Sequence, residues 1–226
     1  ISIEALEISG GISQMQSLRN KLLEFKETGK FIYAFADMYT QKNYYLSSVA
    51  DSLFVNPVGG VDFKGLSTEM YYFKDFQDKY GIKMEVIRHG KYKSAVEPFL
   101  SNTMSDENKE QTASFLNSIW NEVIKDIGFS KNKSNEELNK IADSLMARNP
   151  EMAVTNGMVH GAVYMDQYRD KLKERVGVKD ADDMNYLSLT DYISSGKGRI
   201  KSSAKDKIAV IYAQGEIIYG EGDEGT

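Results

Sequence analysis

The chain has 226 residues, 41% of them apolar, which is enough for one large or two small domains with a buried core. Asp and Glu outnumber Lys and Arg 33 to 28, and the net charge of -5 argues against a nucleic-acid binder, which carries a basic surplus. The absence of Cys removes disulfides, thiolate catalysis and Cys-based zinc sites, two distant His argue against a His-metal cluster or a His-based triad, and no apolar run is long enough to span a membrane.

In chain order, Ile1 to Ile8 reads as a strand running into Gly10-Gly11. Met15, Leu18, Leu22, Leu23 and Phe25 recur at helical spacing, and Gly29 ends that helix. Phe31 to Ala36 reads as a strand, Tyr44 to Val49 as a short helix, and Ser52 to Val55 as a strand ended by Asn56-Pro57. A glycine-punctuated stretch, Val58 to Gly65, precedes a helix from Met70 to Tyr80 capped by Gly81. Ile82 to Ile87 reads as a further strand. This alternation indicates an α/β layer fold with a mostly parallel sheet.

Beyond residue 100 the pattern turns helical. Ser105 is an N-cap with Asp106 and Glu107 behind it. Leu116, Ile119, Trp120, Val123 and Ile127 make one apolar stripe. Ser134-Asn135-Glu136-Glu137 is a capping box, and Asn149-Pro150 opens another helix. A helix from Asp166 to Val176 ends at Gly177. Lys207 to Tyr212 and Glu216 to Tyr219 read as a strand hairpin. The abrupt ends, Ile1-Ser2-Ile3 and Gly220 to Thr226, are read as those of a fragment.

Several motif matches lack their context. Gly220-x-Gly222-x-x-Gly225 fits a dinucleotide fingerprint in letters, but no helix follows it. Ser194-x-x-Lys197 and Ser202-x-x-Lys205 lack the partner elements of the β-lactamase pattern. His89, His160 and the paired Tyr44-Tyr45 and Tyr71-Tyr72 read as structural. No cofactor or metal site is read.

The stretch Arg88-His89-Gly90-Lys91-Tyr92-Lys93-Ser94-Ala95-Val96-Glu97-Pro98-Phe99 stands apart. A glycine turn delivers a lysine among Tyr92, Ala95, Val96 and Phe99, neighbours able to desolvate an ammonium. A neutral amine can take the proton of a serine hydroxyl. Spacing does not choose between Lys91 and Lys93.

Tyr92-Lys93-Ser94-Ala95-Val96-Glu97-Pro98-Phe99 closely resembles the catalytic-lysine motif of the signal peptide peptidase A (protease IV) family. Its long bacterial form has two tandem ClpP/crotonase-like repeats. The similarity extends along the chain. It takes in Gly29-Lys30 with Tyr33-Ala34, Tyr44 to Asp51 with Asn56-Pro57, Asn156 to Val159, and Ile208 to Gly215. The resemblance implies a first repeat over residues 1–200, with a helical insert at about 105–163. A linker and the opening hairpin of a second repeat would follow over 201–226. It implies Lys93 as general base, with Tyr92, Ser94 and Glu97 supporting it. The family's nucleophile, a serine in a Ser-Gly-Gly-Tyr context, falls on Gln41-Lys42-Asn43-Tyr44, so this repeat's own slot holds no nucleophile. Ser47, Ser48 and Ser94 are the nearest alternatives. Gly10-Gly11 falls where the second repeat has its oxyanion-hole glycines.

The expected activity is therefore a Ser-Lys serine endopeptidase acting on cleaved signal peptides, to which this fragment lends the base. The resemblance also implies a homo-oligomer, a membrane anchor upstream and a periplasmic active domain at the bacterial inner membrane. The rival expectation is a non-catalytic crotonase-like oligomerisation or binding scaffold. A crotonase-type acyl-CoA enzyme would need a basic nucleotide site, which this acidic sequence does not offer.

Overall fold

A computed structural model describes residues 1–4, 8–87, 89–180, 184–197 and 209–211. The chain divides into two compact units, Ile1–Ala181 and Asp182–Thr226. In the first unit, four parallel strands lie in the order β1 (Ser2–Ile3), β2 (Tyr33–Tyr39), β3 (Ser52–Val61) and β4 (Gly161–Ala162). Helix α1 (Ile12–Glu27) crosses from β1 to β2, and α2 (Gln41–Ser47) from β2 to β3. A long excursion then separates β3 from β4. It carries α3 (Lys74–Tyr80), α4 (Glu97–Leu100), α5 (Asp106–Lys131), α6 (Asn135–Asp143) and α7 (Pro150–Thr155). Helix α8 (Met165–Val176) follows β4, and α9 (Leu189–Ser194) belongs to the second unit.

Strand periodicity sorts the two faces of the sheet. Ala34, Ala36, Leu53 and Val55 point into the main core, with Met15 of α1, Tyr44 and Tyr45 of α2, and Val123, Ile124 and Ile127 of α5. Phe35 and Phe54 point the other way and meet Tyr168 of α8, with ring centroids 5.2 and 6.0 Å apart. The sheet is thus covered on both faces, as parallel sheets are. A buried arginine ties the helices of the main face together. Arg19 donates to the Tyr45 carbonyl (2.5 Å), Ser48 Oγ (2.7 Å), the Asp126 carbonyl (2.6 Å) and Ser130 Oγ (2.6 Å). Four acceptors on α5 and on the α2 end leave this buried cation well satisfied.

Glycine and cap signals in the sequence land where expected. Gly81 and Gly177 end α3 and α8 in the left-handed region, with φ of +69° and +82°. The Ser134–Glu137 capping box forms. The N-terminal strand is shorter than the expected 1–8: β1 is Ser2–Ile3, and residues 5–7 lie outside the described residues. Strand β3 departs from expectation by running through Asn56-Pro57 to Val61. Between the pairs Ala36–Val55 and Met38–Gly60, the single residue Asp37 faces residues 56–59. Pro57 sits in this wide bulge, where no ladder N–H is demanded of it. Asn56 builds the bulge: its Nδ2 donates to Asp37 Oδ1 (2.8 Å) and its Oδ1 accepts from Val58 N (3.1 Å). The expected strand Ile82 to Ile87 is not a strand; alternation gave it the side-chain pattern but no sheet neighbour. Helix α3 starts at Lys74 rather than Met70. The expected hairpin at 207–219 lies largely outside the described residues.

Candidate active site

The lysine turn is held by α4 and the first turn of α5. Gly90, at φ +96°, reverses the chain, and a Cβ there would lie 4.0 Å from Lys93 Cγ. The turn closes when Glu97 N donates to the Ser94 carbonyl (2.9 Å). Glu97 is 5% exposed, and its carboxylate faces the start of α5. It accepts from Asn108 Nδ2 (2.8 Å), from Ser105 N (3.4 Å) and from Ser105 Oγ. Ser105 is also the N-cap of α5, accepting from Asn108 N (3.2 Å). A buried carboxylate is favourable here because it accepts from the N-cap residue and from Asn108 at the N-terminal end of a 26-residue helix, where the helix dipole favours negative charge.

Helix α3 braces α4 from the other side. Phe73 N donates to the Pro98 carbonyl (2.6 Å), and Gln77 Nε2 to the Phe99 carbonyl (3.0 Å). The Phe73 and Phe99 rings stack at 5.8 Å. The Tyr72 hydroxyl is shut off from solvent and makes no hydrogen bond among the described residues. Burial, then the nearby Glu97 carboxylate, raises its pKa. Tyr92 leans towards α5, where its hydroxyl donates to Glu110 Oε2 (3.3 Å); that carboxylate raises the Tyr92 pKa.

The sequence suggested that Tyr92, Ala95, Val96 and Phe99 would shield the amine. They do not: Tyr92 is 51% and Phe99 37% exposed, Ala95 is exposed, and Lys93 itself is exposed. The buried position of this stretch is taken by Glu97 instead, while Lys93 is exposed. Lys91 is exposed as well.

The slot that the resemblance assigns to a nucleophile sits at the strand-to-helix turn after β2. Thr40 caps α2 by accepting from Asn43 N (3.3 Å). Gln41, the first helical residue, uses its carboxamide on the backbone of Lys64 and Gly65. Nearby, Gly11 N donates to Gln14 Oε1 (2.8 Å), and Lys42 Nζ donates to the Gly10 carbonyl (2.8 Å). The Gly11 amide is thus engaged within the chain and not presented to an oxyanion. Ser48 is fully buried between Arg19 and the Tyr45 carbonyl, and Ser47 is buried too, which suits neither for attack on a substrate. His160 accepts from Leu53 N through Nδ1 (2.9 Å) and ties β3 to the chain ahead of β4. Burial, then the Lys131 charge, lowers its pKa. Among the described residues, no group of acidic or imidazole side chains is placed to hold a metal ion.

Of the residues the sequence marked, Tyr92, Lys93 and Ser94 lie in the stretch ahead of α4, and Glu97 is the first residue of α4. The sequence did not mark Ser105 and Asn108, which grip Glu97, or Gln77, which grips α4. The N-cap pattern at Ser105 was visible; that its hydroxyl also donates to a carboxylate eight residues earlier was not.

Residues 24–179 match the family model described as peptidase family S49. The chain belongs to peptidase family S49. It is 35% identical over 208 residues to "Protease 4" of Haemophilus influenzae, covering 88% of this chain and 34% of that protein. It is 29% identical over 219 residues to "Protease 4" of Salmonella typhi, covering 94% of this chain and 35% of the relative. It is 26% identical over 220 residues to "Serine protease SPPA, chloroplastic" of Arabidopsis thaliana, covering 97% and 32%. The chain thus spans about a third of the length of these curated relatives. Family S49 peptidases have a ClpP/crotonase-like fold, and the parallel α/β sheet described above is of that class.

Proposed function

We propose that this chain is the base-donating first repeat of a two-repeat serine endopeptidase, with Lys93 as general base and the nucleophilic serine supplied by polypeptide outside it. The observation that carries this reading is the Lys93 turn within an S49 sequence, fixed from beneath by the buried Glu97 while the lysine faces outward. Exposure in the isolated chain suits a lysine that is covered only when a second surface closes over it. In that closed site the amine accepts the Ser Oγ proton as Oγ attacks the peptide carbonyl. The proton passes to the leaving amine as the acyl-enzyme forms. The amine then takes a proton from water as the hydroxide attacks the acyl carbon, and returns it to Ser Oγ as the ester bond breaks and the carboxylate product leaves. Tyr92, Ser94 and Glu97 are given the role of holding the stretch that carries Lys93.

Cleaved signal peptides are the proposed substrates. A homo-oligomer, with the active domain on the periplasmic side of the bacterial inner membrane and an anchor upstream, completes the proposal. Among the described residues, no helix is long and apolar enough to cross a membrane. The exposure of Lys93 also favours one other reading, a non-catalytic oligomerisation or binding scaffold. Peptidase assays of the intact protein separate the two. Lys93→Ala is expected to lower kcat by about 10³-fold or more, with Lys91→Ala within a few-fold of wild type. Equal loss in both variants rejects the choice of lysine, full activity in Lys93→Ala rejects Lys93 as the base, and an intact protein without peptidase activity favours the scaffold.

A further inference from the structure

Strands β2 and β3 stay paired up to Tyr39 and Val61, and Asp62 N still donates to the Tyr39 carbonyl (2.8 Å). There β2 breaks into α2, so the continuation of β3 loses its neighbour. Gln41 takes over as a side-chain substitute for the missing strand. Its Oε1 accepts from Lys64 N (3.1 Å) and Gly65 N (3.1 Å), and its Nε2 donates to the Gly65 carbonyl (2.9 Å). Both polar groups of Gly65 are thereby engaged by one carboxamide. At Gly65 the backbone turns with φ +87°, a conformation that favours glycine, and leaves the sheet. The segment that leaves is the one carrying Lys93, and Glu97 grips it again at its far end.

We propose that Gln41 is a positioning residue: its carboxamide clamps the Lys64–Gly65 backbone and so sets the point and direction from which the Lys93-bearing segment departs. This rests on the proposed role of Lys93. The resemblance assigns the nucleophile's slot to this same position. A serine there would be too short to bridge to Gly65, so the slot cannot serve both purposes. With Gln41 in that slot, its carboxamide fixes the Lys64–Gly65 backbone from which the Lys93-bearing segment departs, and a base must be held to a fraction of an ångström to act.

The test compares Gln41→Met, which keeps the length and loses the hydrogen bonds, with Gln41→Glu, which keeps an acceptor for the two amides. Both are made in the intact protein and followed by peptidase kinetics and by backbone amide exchange. In Gln41→Met, the Lys64 and Gly65 amides are expected to exchange about tenfold faster or more. The kcat should fall about tenfold with KM within about threefold, and Gln41→Glu should recover part of both effects. Unchanged exchange in Gln41→Met overturns the clamp. Accelerated exchange with kcat within about twofold of wild type overturns its positioning role. If Lys93→Ala proves active, the base assignment fails while the exchange signature of the clamp stands, so the two failures are told apart.

Discussion

The Lys131 ammonium at the end of α5 is half-buried, and burial, then the charges of Lys26 and Arg19, lowers its pKa from 10.5 to about 8. Between pH 8 and 10.5 the unfolded chain therefore binds more protons than the folded one, and this group's contribution to stability rises with pH across that window. Below pH 8 the folded protein carries the full cost of the buried charge. Lys131→Met is expected to be more stable than wild type at pH 7 by about 2 kcal/mol, after allowance for solvent screening of a half-buried group. The advantage should vanish as the pH passes 10.5, as urea unfolding at several pH values would read. A destabilised Lys131→Met at pH 7 contradicts this. Glu97 is the opposite case, a buried charge with all its donors in place. Glu97→Ala leaves Asn108 Nδ2 and Ser105 Oγ without their acceptor, and is expected to cost about 2–3 kcal/mol and most of the peptidase activity of the intact protein. Glu97→Gln, which keeps one acceptor oxygen, should retain more of both in thermal melts and assays.

At the scale of elements, the long bulge in β3 steers the chain towards Gly65. Two glycines make it possible. A Cβ on Gly59 would lie 1.7 Å from the Asp37 carbonyl oxygen, and one on Gly60 would lie 2.3 Å from the Arg148 carbonyl oxygen. Both clashes are with backbone, which cannot rotate away. Gly60→Ala is therefore expected to destabilise the protein by about 2–3 kcal/mol, seen as a lower Tm; an unchanged Tm would mean the strand slides to accommodate it. These contacts also show what the sequence could and could not reveal. Helix ends were legible because their signals are local: the glycines after α3 and α8 and the capping box before α6 each act within one turn. The passage of β3 through Pro57 was not, because a bulge is defined by its partner strand, Asp37 and its neighbours, nineteen or more residues away. The strand pattern of Ile82 to Ile87 misled for the same reason, since alternation specifies faces but not a neighbour. Tyr92, Lys93, Ser94 and Glu97 were marked by their motif alone. Their grip by Ser105 and Asn108 was hidden in long-range pairing, as was the use of Gln41.

At the scale of the whole molecule, a parallel sheet covered on both faces supports a long excursion between β3 and β4, and the exposed Lys93 lies in that excursion. The chain spans about a third of the length of the relatives it matches, and under the proposed function the nucleophilic serine is sought outside residues 1–226. The most direct measurement is labelling of the intact protein with a serine-directed fluorophosphonate, followed by mapping of the modified residue. One serine outside residues 1–226 is expected to react, at a rate lost in Lys93→Ala and kept in Lys91→Ala, while this chain by itself takes up no label. Labelling of Ser47, Ser48, Ser94 or any other serine of the chain, or an undiminished rate in Lys93→Ala, would contradict the assignment of Lys93 as the base for a nucleophile supplied from elsewhere.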